Sequence, residues 1–249
     1  MNSLLSTESL VKRYGALTVT DGVSIDVRPG EVHAVIGPNG AGKTTLINQL
    51  SGELQSDQGR VMFAGEDVTA LQINARARRG LLRSYQITSI FENFTVRENA
   101  MLAAIGAKEH AFRFWRPLLG RARFAGVVEE ALQLTGLTHR ADVLADNLGY
   151  GERRQLELAM ALAAQPKFLL LDEPMAGMSV QESSAVVSLI QRLKGQYAIL
   201  LVEHDMDAVF ALADRISVLV YGKIIFTGTP DEIRAHPEVK AVYLGEEVE

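Results

Sequence analysis

No cysteine occurs in the chain, which excludes disulfides, thiolate metal sites and cysteine nucleophiles and is in keeping with a reducing compartment. No apolar run approaches the ~18 residues that a membrane-spanning helix needs. The opening stretch MNSLLSTESLVKR lacks the basic start and apolar core of a signal peptide, so a soluble cytoplasmic protein is expected. An excess of positive charge is missing too. The net charge of −5 argues against a general nucleic-acid or anionic-membrane surface, and no nucleic-acid partner is expected. What the chain does have is apolar material, 47% of 249 residues, enough to bury one large core or two modest ones.

The densest chemical signal is GPNGAGKTT, residues 37 to 45, preceded by Val32, Ala34, Val35 and Ile36 and followed by LINQLSG. Gly37, Gly40 and Gly42 permit backbone conformations that a Cβ would block. The run Gly37, Pro38, Asn39, Gly40, Ala41, Gly42, Lys43, Thr44, Thr45 therefore reads as a cradle whose N–H groups turn inward on a di- or triphosphate at a helix N-terminus. Lys43 would reach the β/γ oxygens and Thr44 would ligate Mg²⁺. A chance match to G-x-x-x-x-G-K-[ST] in a chain this long is roughly a 1% event, so an incidental glycine turn is a poor account.

Around the cradle, periodicity predicts an antiparallel β opening over residues 3 to 36, with Val23, Ile25 and Val27 alternating and a turn at Arg28-Pro29-Gly30. Tyr14 either stacks on a nucleotide base or is a half-buried strand tyrosine. Ala64-Gly65 bends a short hairpin. Arg76, Arg78 and Arg79 read as a solvated basic face, and LLRSYQ as a strand ending at Gln86. From 87 to 165 the spacing turns helical. This is a candidate helical subdomain inserted between nucleotide-binding segments 1–86 and 166–249 of one domain. Within it, KEHAFRFWRPLLGRARF (108 to 124) sets five basic residues and four Phe/Trp rings, Phe112, Phe114 and Trp115 among them, against one acid. It reads as an amphipathic docking patch or as a plain helical hairpin broken at Pro117 and Gly120.

Further on, NLGYGERRQLE places a glycine turn at a helix N-terminus, a second candidate anion site. FLLLDEP (168 to 174) has the character of a buried parallel strand and delivers two carboxylates at its carboxyl end. Asp172 suits an Mg²⁺ shell, and Glu173 suits accepting a proton from attacking water. YAILLVEHD brings Glu203, His204 and Asp205 to an equivalent edge, where a lone histidine is more often an ordinary hydrogen-bonded residue. RISVLVYGKIIFTG reads as a hairpin turning at Tyr221-Gly222, and a helix is expected after Thr229-Pro230.

Taken in order, these pieces resemble the ATP-binding subunit of an ABC transporter over essentially the whole chain. Tyr14 is similar to the adenine-stacking aromatic, GPNGAGKTT to the Walker A loop and Gln86 to the Q-loop glutamine. Leu148-Gly149-Tyr150-Gly151-Glu152 resembles the signature, FLLLDE the Walker B strand and His204 the switch histidine. The resemblance implies an α/β fold, a P-loop NTPase (RecA-like) core with a mainly parallel sheet, an N-terminal antiparallel β subdomain and a helical insertion. It implies ATP and Mg²⁺, with Thr44, Gln86 and Asp172 around the metal and Glu173, His204 and Gln86 in catalysis. The signature would close the nucleotide of a second ATP-binding subunit in a head-to-tail homo- or heterodimer. Transmembrane permease subunits, and indirectly a solute-binding protein, are the implied partners; they would hold the chain at the inner face of the cell membrane.

Within that family, YGERRQLELAMAL, VEHDM, the aromatic-basic insertion and EVKAVYLGE are similar to the branched-chain amino acid importer branch, which also serves amides and urea. RARRG and VYLGE are also similar to the ATPase of lipopolysaccharide exporters, the nearest alternative. A non-transport GTPase switch would need an [NT]KxD segment, and no lysine sits in one. DNA- or ribosome-associated relatives would need a long coiled coil or two motif sets. The chain departs from the family pattern at Gly149, usually Ser, at Tyr150, usually Gly, at Glu152, usually Gln, and at Ser179, usually Asp. A hydroxyl donor to the γ-phosphate is therefore missing.

Overall fold

The computed structural model describes residues 3–84, 90–108 and 117–243. In chain order its elements are β1 (Leu5–Tyr14), β2 (Leu17–Val23), β3 (Asp26–Val27), β4 (Val32–Ile36), α1 (Lys43–Ser51), β5 (Gln58–Phe63), β6 (Glu66–Asp67), α2 (Ile73–Arg78) and β7 (Leu81–Arg83). There follow α3 (Val96–Lys108), α4 (Pro117–Leu134), α5 (Tyr150–Ala163), β8 (Phe168–Asp172), α6 (Val180–Leu193), β9 (Ala198–Val202), α7 (Met206–Leu212), β10 (Arg215–Val220), β11 (Lys223–Gly228), α8 (Pro230–Ala235) and α9 (Pro237–Tyr243). They group into two compact units. The first is Met1–Arg76, Leu170–Glu173 and Leu193–Glu249; the second is Ala77–Leu169 and Pro174–Arg192.

The first unit holds two sheets. One is antiparallel, in the order β2-β1-β5-β6 with β3 also on β1. Val23, Ile25 and Val27 are all buried on it, as their alternation predicts. The β5–β6 bend at Ala64-Gly65 has φ of 50° and 83°, the mirror-image turn whose twist matches that of the flanking strands. The other sheet runs β11-β10-β4-β9-β8, with β10, β4 and β9 mutually parallel and β11 antiparallel at the edge. Every residue of β4 and β9 is buried, which is why these segments read as unbroken apolar runs. His33, the polar exception in β4, reaches across the sheet: its Nε2 lies 2.8 Å from Ser217 Oγ, while its Nδ1 makes no hydrogen bond and lies 3.6 Å from Glu31 Oε1.

In the second unit α3, α4 and α5 pack on one another. Val96, Ala100 and Ala104 recur at four-residue spacing on the buried face of α3, and Val128, Leu132, Leu156 and Ala159 are buried on the other two helices. α4 starts at Pro117, the first-turn position that costs proline no hydrogen bond. It then runs on through Gly120, against the alternative of a hairpin broken there; a single helical glycine costs only about 1 kcal/mol relative to alanine. Phe124 is buried, so the last ring of the aromatic-basic stretch belongs to the core. Phe112, Phe114 and Trp115 lie outside the described residues. Among the described residues no helix is long and apolar enough to cross a membrane.

Arg76 overturns the reading of a solvated basic face. It is 1% exposed, whereas Arg78 and Arg79 are exposed. Its Nη1 donates to the carbonyls of Gln49 (2.8 Å) and Leu50 (2.7 Å), its Nη2 to Thr69 (2.9 Å) and its Nε to Leu71 (2.9 Å). Gln49 and Leu50 lie in the last turn of α1, where carbonyls have no partner within the helix. Burial pulls the guanidinium down to about 10, which still leaves it charged at neutral pH. Arg76→Met keeps the stem and strands these carbonyls. It is expected to cost about 3 kcal/mol or more in urea unfolding, with Arg76→Lys recovering only part because an ammonium lacks the planar fork.

Candidate functional site

The loop after β4 is shaped by what packs against it. A Cβ on Gly37 would run into the Leu219 carbonyl, and one on Gly42 would meet the Val19 carbonyl at 2.5 Å. Gly40 and Gly42 also have φ of 78° and 107°, which favours glycine at both. The turn between β10 and β11 braces the loop, with the Gly222 N–H donating to the Ala41 carbonyl at 2.9 Å. α1 then opens on Gly42 with no side-chain cap and no acidic residue in its first turn, the arrangement that suits an incoming anion. Asn39, Gly40 and Thr44 are exposed, Pro38 and Thr45 half-buried.

Lys43 is 7% exposed. Its Nζ donates to the Gly37 carbonyl at 2.5 Å and the Pro38 carbonyl at 3.0 Å. Burial draws its ammonium below the ordinary lysine value, against the pull of the Glu173 and Asp172 carboxylates. Those acids stand at the carboxyl end of β8. Glu173 takes a left-handed φ of 47°, a strained conformation for a non-glycine residue that costs about 1–3 kcal/mol, and its N–H donates to the Val202 carbonyl at 2.8 Å. His204 follows the adjacent strand β9, and its Nε2 lies 2.5 Å from Glu173 Oε1. A carboxylate only accepts, so the imidazole proton sits on Nε2. The two residues that flank this histidine fix the backbone around it. The buried Glu203 accepts the His204 backbone N–H at 2.9 Å, and Asp205 caps α7 by accepting the N–H groups of Asp207 and Ala208. The first unit thus brings Lys43, Asp172, Glu173 and His204 to neighbouring strand ends.

Tyr14 ends β1 with 53% of its surface exposed, Lys12 Nζ lying 5.9 Å from the ring centroid. It is an exposed ring, not the half-buried strand tyrosine. Gln86 lies outside the described residues.

The segment 148–152 belongs to the second unit. Leu148 is buried as an anchor, and Gly149 is the N-cap of α5 in an extended conformation. The Gly149 N–H donates to Glu152 Oε2 at 3.1 Å. That is half of a capping box, since a glycine has no hydroxyl to return the bond. Arg140 pairs with Glu152 at 2.9 Å. Partial burial works against the Glu152 charge, but Arg140 and the Gly149 N–H hold its carboxyl below the usual range. The Gly151 N–H donates to Glu182 Oε1 at 3.1 Å, and the Tyr150 hydroxyl donates to the Ala176 carbonyl at 3.1 Å. Sequence reasoning missed both bonds. The spacing Ser179-x-x-Glu182 is that of a capping box, a signal that went unread, and it does not mark the reach of the carboxylate to α5.

Two family models match this chain. One described as ABC transporter covers residues 20–176, and one described as branched-chain amino acid ATP-binding cassette transporter covers residues 223–249. The chain is 36% identical over 252 residues to the high-affinity branched-chain amino acid transport ATP-binding protein LivG of Escherichia coli (strain K12), covering 98% of each. It is 37% identical over 246 residues to the lipopolysaccharide export system ATP-binding protein LptB of Haemophilus influenzae, again covering 98% of each. Among solved structures, the ADP conformation of an ATP-binding cassette of an ABC transporter superposes with a TM-score of 0.86 at 31% identity, covering 98% of this chain and 100% of that one.

Glu152→Ala removes the acceptor of the Gly149 N–H and the partner of Arg140. It is expected to destabilise the chain by about 1 kcal/mol. Gly149→Ser supplies the missing half of the box and is expected to add a few tenths of a kcal/mol; the Cβ meets only Glu152 Oε2, at 3.9 Å. Urea midpoints of the two variants check both signs.

Proposed function

Given that this chain belongs to the ABC transporter family, as an ATP-hydrolysing, ATP-binding subunit homologous to those of branched-chain amino acid transporters, we propose that it powers uptake of a branched-chain amino acid or a related amide. It does so as a peripheral subunit on the cytoplasmic face of transmembrane permease subunits, with a solute-binding protein delivering the solute. The observation that supports the hydrolytic part best is the convergence of Lys43, Asp172, Glu173 and His204 at the carboxyl ends of β4, β8 and β9. The observation that favours this branch is the family match over residues 223–249. The likeness to LptB favours a second reading, the ATPase of a lipopolysaccharide-type exporter.

In the mechanism we assign, the β- and γ-phosphates of ATP take the Lys43 donors away from the Gly37 and Pro38 carbonyls, exchanging neutral acceptors for charged ones. Tyr14 stacks on the adenine. The Thr44 hydroxyl and the Asp172 carboxylate are hard oxygen donors in one neighbourhood, since Asp172 acts on the charge of Lys43, the residue before Thr44. They fit Mg²⁺, with Gln86 as a further ligand; Mg²⁺ supplies neutralisation of phosphate charge when bound. Glu173 accepts the proton of the attacking water on its second oxygen, the first being held by His204. Once nucleotide fills the cradle, His204 contacts the γ-phosphate. Leu148, Gly149, Tyr150, Gly151 and Glu152 close the site of a second ATP-binding subunit, head to tail, so that the α5 N-terminus faces its γ-phosphate.

The test is the chain co-purified with its permease subunits and reconstituted with the solute-binding protein. Leucine, isoleucine or valine is expected to stimulate ATP turnover and to accumulate in vesicles; stimulation by lipopolysaccharide alone selects the exporter reading. Glu173→Gln should lower turnover by about 10²-fold or more while ATP affinity stays within error. Near-normal turnover removes Glu173 from the role of base. Gly149→Ser is expected to raise turnover of the site it closes by about tenfold or more where chemistry limits the cycle, since a hydroxyl donor to phosphate forms a charge-assisted bond. Single-turnover rates on a complex whose other site carries Lys43→Ala check this, and an unchanged rate shows the glycine to be an adapted part of the site.

A further inference from the structure

Two independent ties join the first turn of α5 to the loop 174–179. One is Tyr150, whose hydroxyl donates to the Ala176 carbonyl at 3.1 Å. Its ring lies over Gly177, where an added Cβ would come within 3.4 Å of the hydroxyl. Arg154, one turn on, places its guanidinium 5.7 Å from the same ring centroid. The other tie is Glu182. Its Oε1 accepts the Gly151 N–H at 3.1 Å, while its Oε2 accepts the Ser179 N–H at 2.9 Å and the Ser179 hydroxyl at 2.7 Å.

The residue types suit these ties. A glycine at 150 has no hydroxyl to offer Ala176. An ionised aspartate at 179 has no proton to offer Glu182 and would set two like charges together. Two of the four positions at which this chain departs from the family pattern, Tyr150 and Ser179, are therefore ones on which the ties depend.

We propose that Tyr150 and Glu182 are positioning residues that lock the start of α5 to the loop 174–179, which continues directly from Glu173. The helix end that faces one nucleotide is then tied to the loop that follows the base for another, so that closure at one site bears on the geometry of the second. This rests on the reading that residues 148–152 close a partner's site.

The test uses the chain assembled with its permease subunits. Steady-state ATP turnover is measured for Tyr150→Phe, which removes one hydroxyl and nothing else, for Glu182→Ala, and for the two together. Each single change is expected to lower kcat about two- to tenfold with KM for ATP unchanged. Because the ties run in parallel between the same segments, the double variant is expected to lose more than the product of the single effects. Glu182→Gln keeps an acceptor for the Gly151 N–H and is expected to recover part of the loss. An unchanged kcat in the double variant, a loss equal to the product, or a loss carried by KM overturns the proposal. Should Glu182→Ala fail to assemble, Ser179→Asp takes its place in the same comparison. Hydrogen exchange reads the tie itself: the Gly151 amide is expected to be protected in the wild type and to exchange faster in Glu182→Ala or Ser179→Asp. Equal exchange overturns the tie whatever the turnover. An assembled wild type with no ATP turnover instead removes the ATPase reading, and exchange at Gly151 still decides the tie.

Discussion

The buried ammonium of Lys43 is the constraint to which the first unit is built. With 7% of the residue exposed, desolvation works against the charge, and the nearby Asp172 and Glu173 and the carbonyls of Gly37 and Pro38 compensate for it. Those compensators come from separate stretches of sequence, so they meet only if β4 and β8 end at the same edge. The sheet order places β9 between them, which brings His204 against Glu173 as well. The carbonyl partners are neutral, and a phosphate oxygen makes a stronger bond to an ammonium. The same burial that makes Lys43 expensive to hold thus favours an anion over the carbonyls as its partner.

Helix ends show where the chain reserves donors and where it closes them. α7 is capped by the Asp205 carboxylate, and α8 by the Thr229 hydroxyl with Glu232 returning the bond, a complete box. α1 has neither a capping side chain nor an acid in its first turn, so its leading N–H groups are committed to no side chain. α5 lies between these cases: Gly149 N–H goes to Glu152 and Gly151 N–H to Glu182. An anion reaching α5 has to displace or work around carboxylates that no anion at α1 meets, and the two helix starts differ in electrostatics although both follow glycine turns.

What the sequence made legible follows from locality. The glycine conformations at Gly40 and Gly42, the turns at Ala64-Gly65 and Tyr221-Gly222 and the helix start after Thr229 are all set by residues within a few positions of one another, and the structure bears out these local conformations. Buried strands were legible because both faces of β4 and β9 are covered, leaving uninterrupted apolar runs. Arg76 was not, because its acceptors lie at Gln49, Leu50, Thr69 and Leu71, and nothing in INARARRG marks the last-turn carbonyls of another helix. Tyr150 likewise finds its acceptor 26 residues away and Gly151 finds Glu182 31 residues away. Gly120 misled in the opposite direction: its local preference is outweighed by the helix it belongs to.

The near-equal identities to a branched-chain amino acid ATPase and to a lipopolysaccharide-export ATPase have a physical reading. In the proposed mechanism Lys43, Asp172, Glu173 and His204 act on phosphate, which is the same whatever solute moves, so these groups would carry no information about it. The segment matched at branch level, 223–249, contains none of the four. Its described part supplies the antiparallel edge strand β11 and the helices α8 and α9, whose Ile233 and Val239 are buried in one cluster with Val209, Ile216 and Val218. That cluster also takes in Ala34 and Ile36 of β4, the strand that leads into the cradle. The segment matched at branch level therefore packs behind the four groups and contributes none of them.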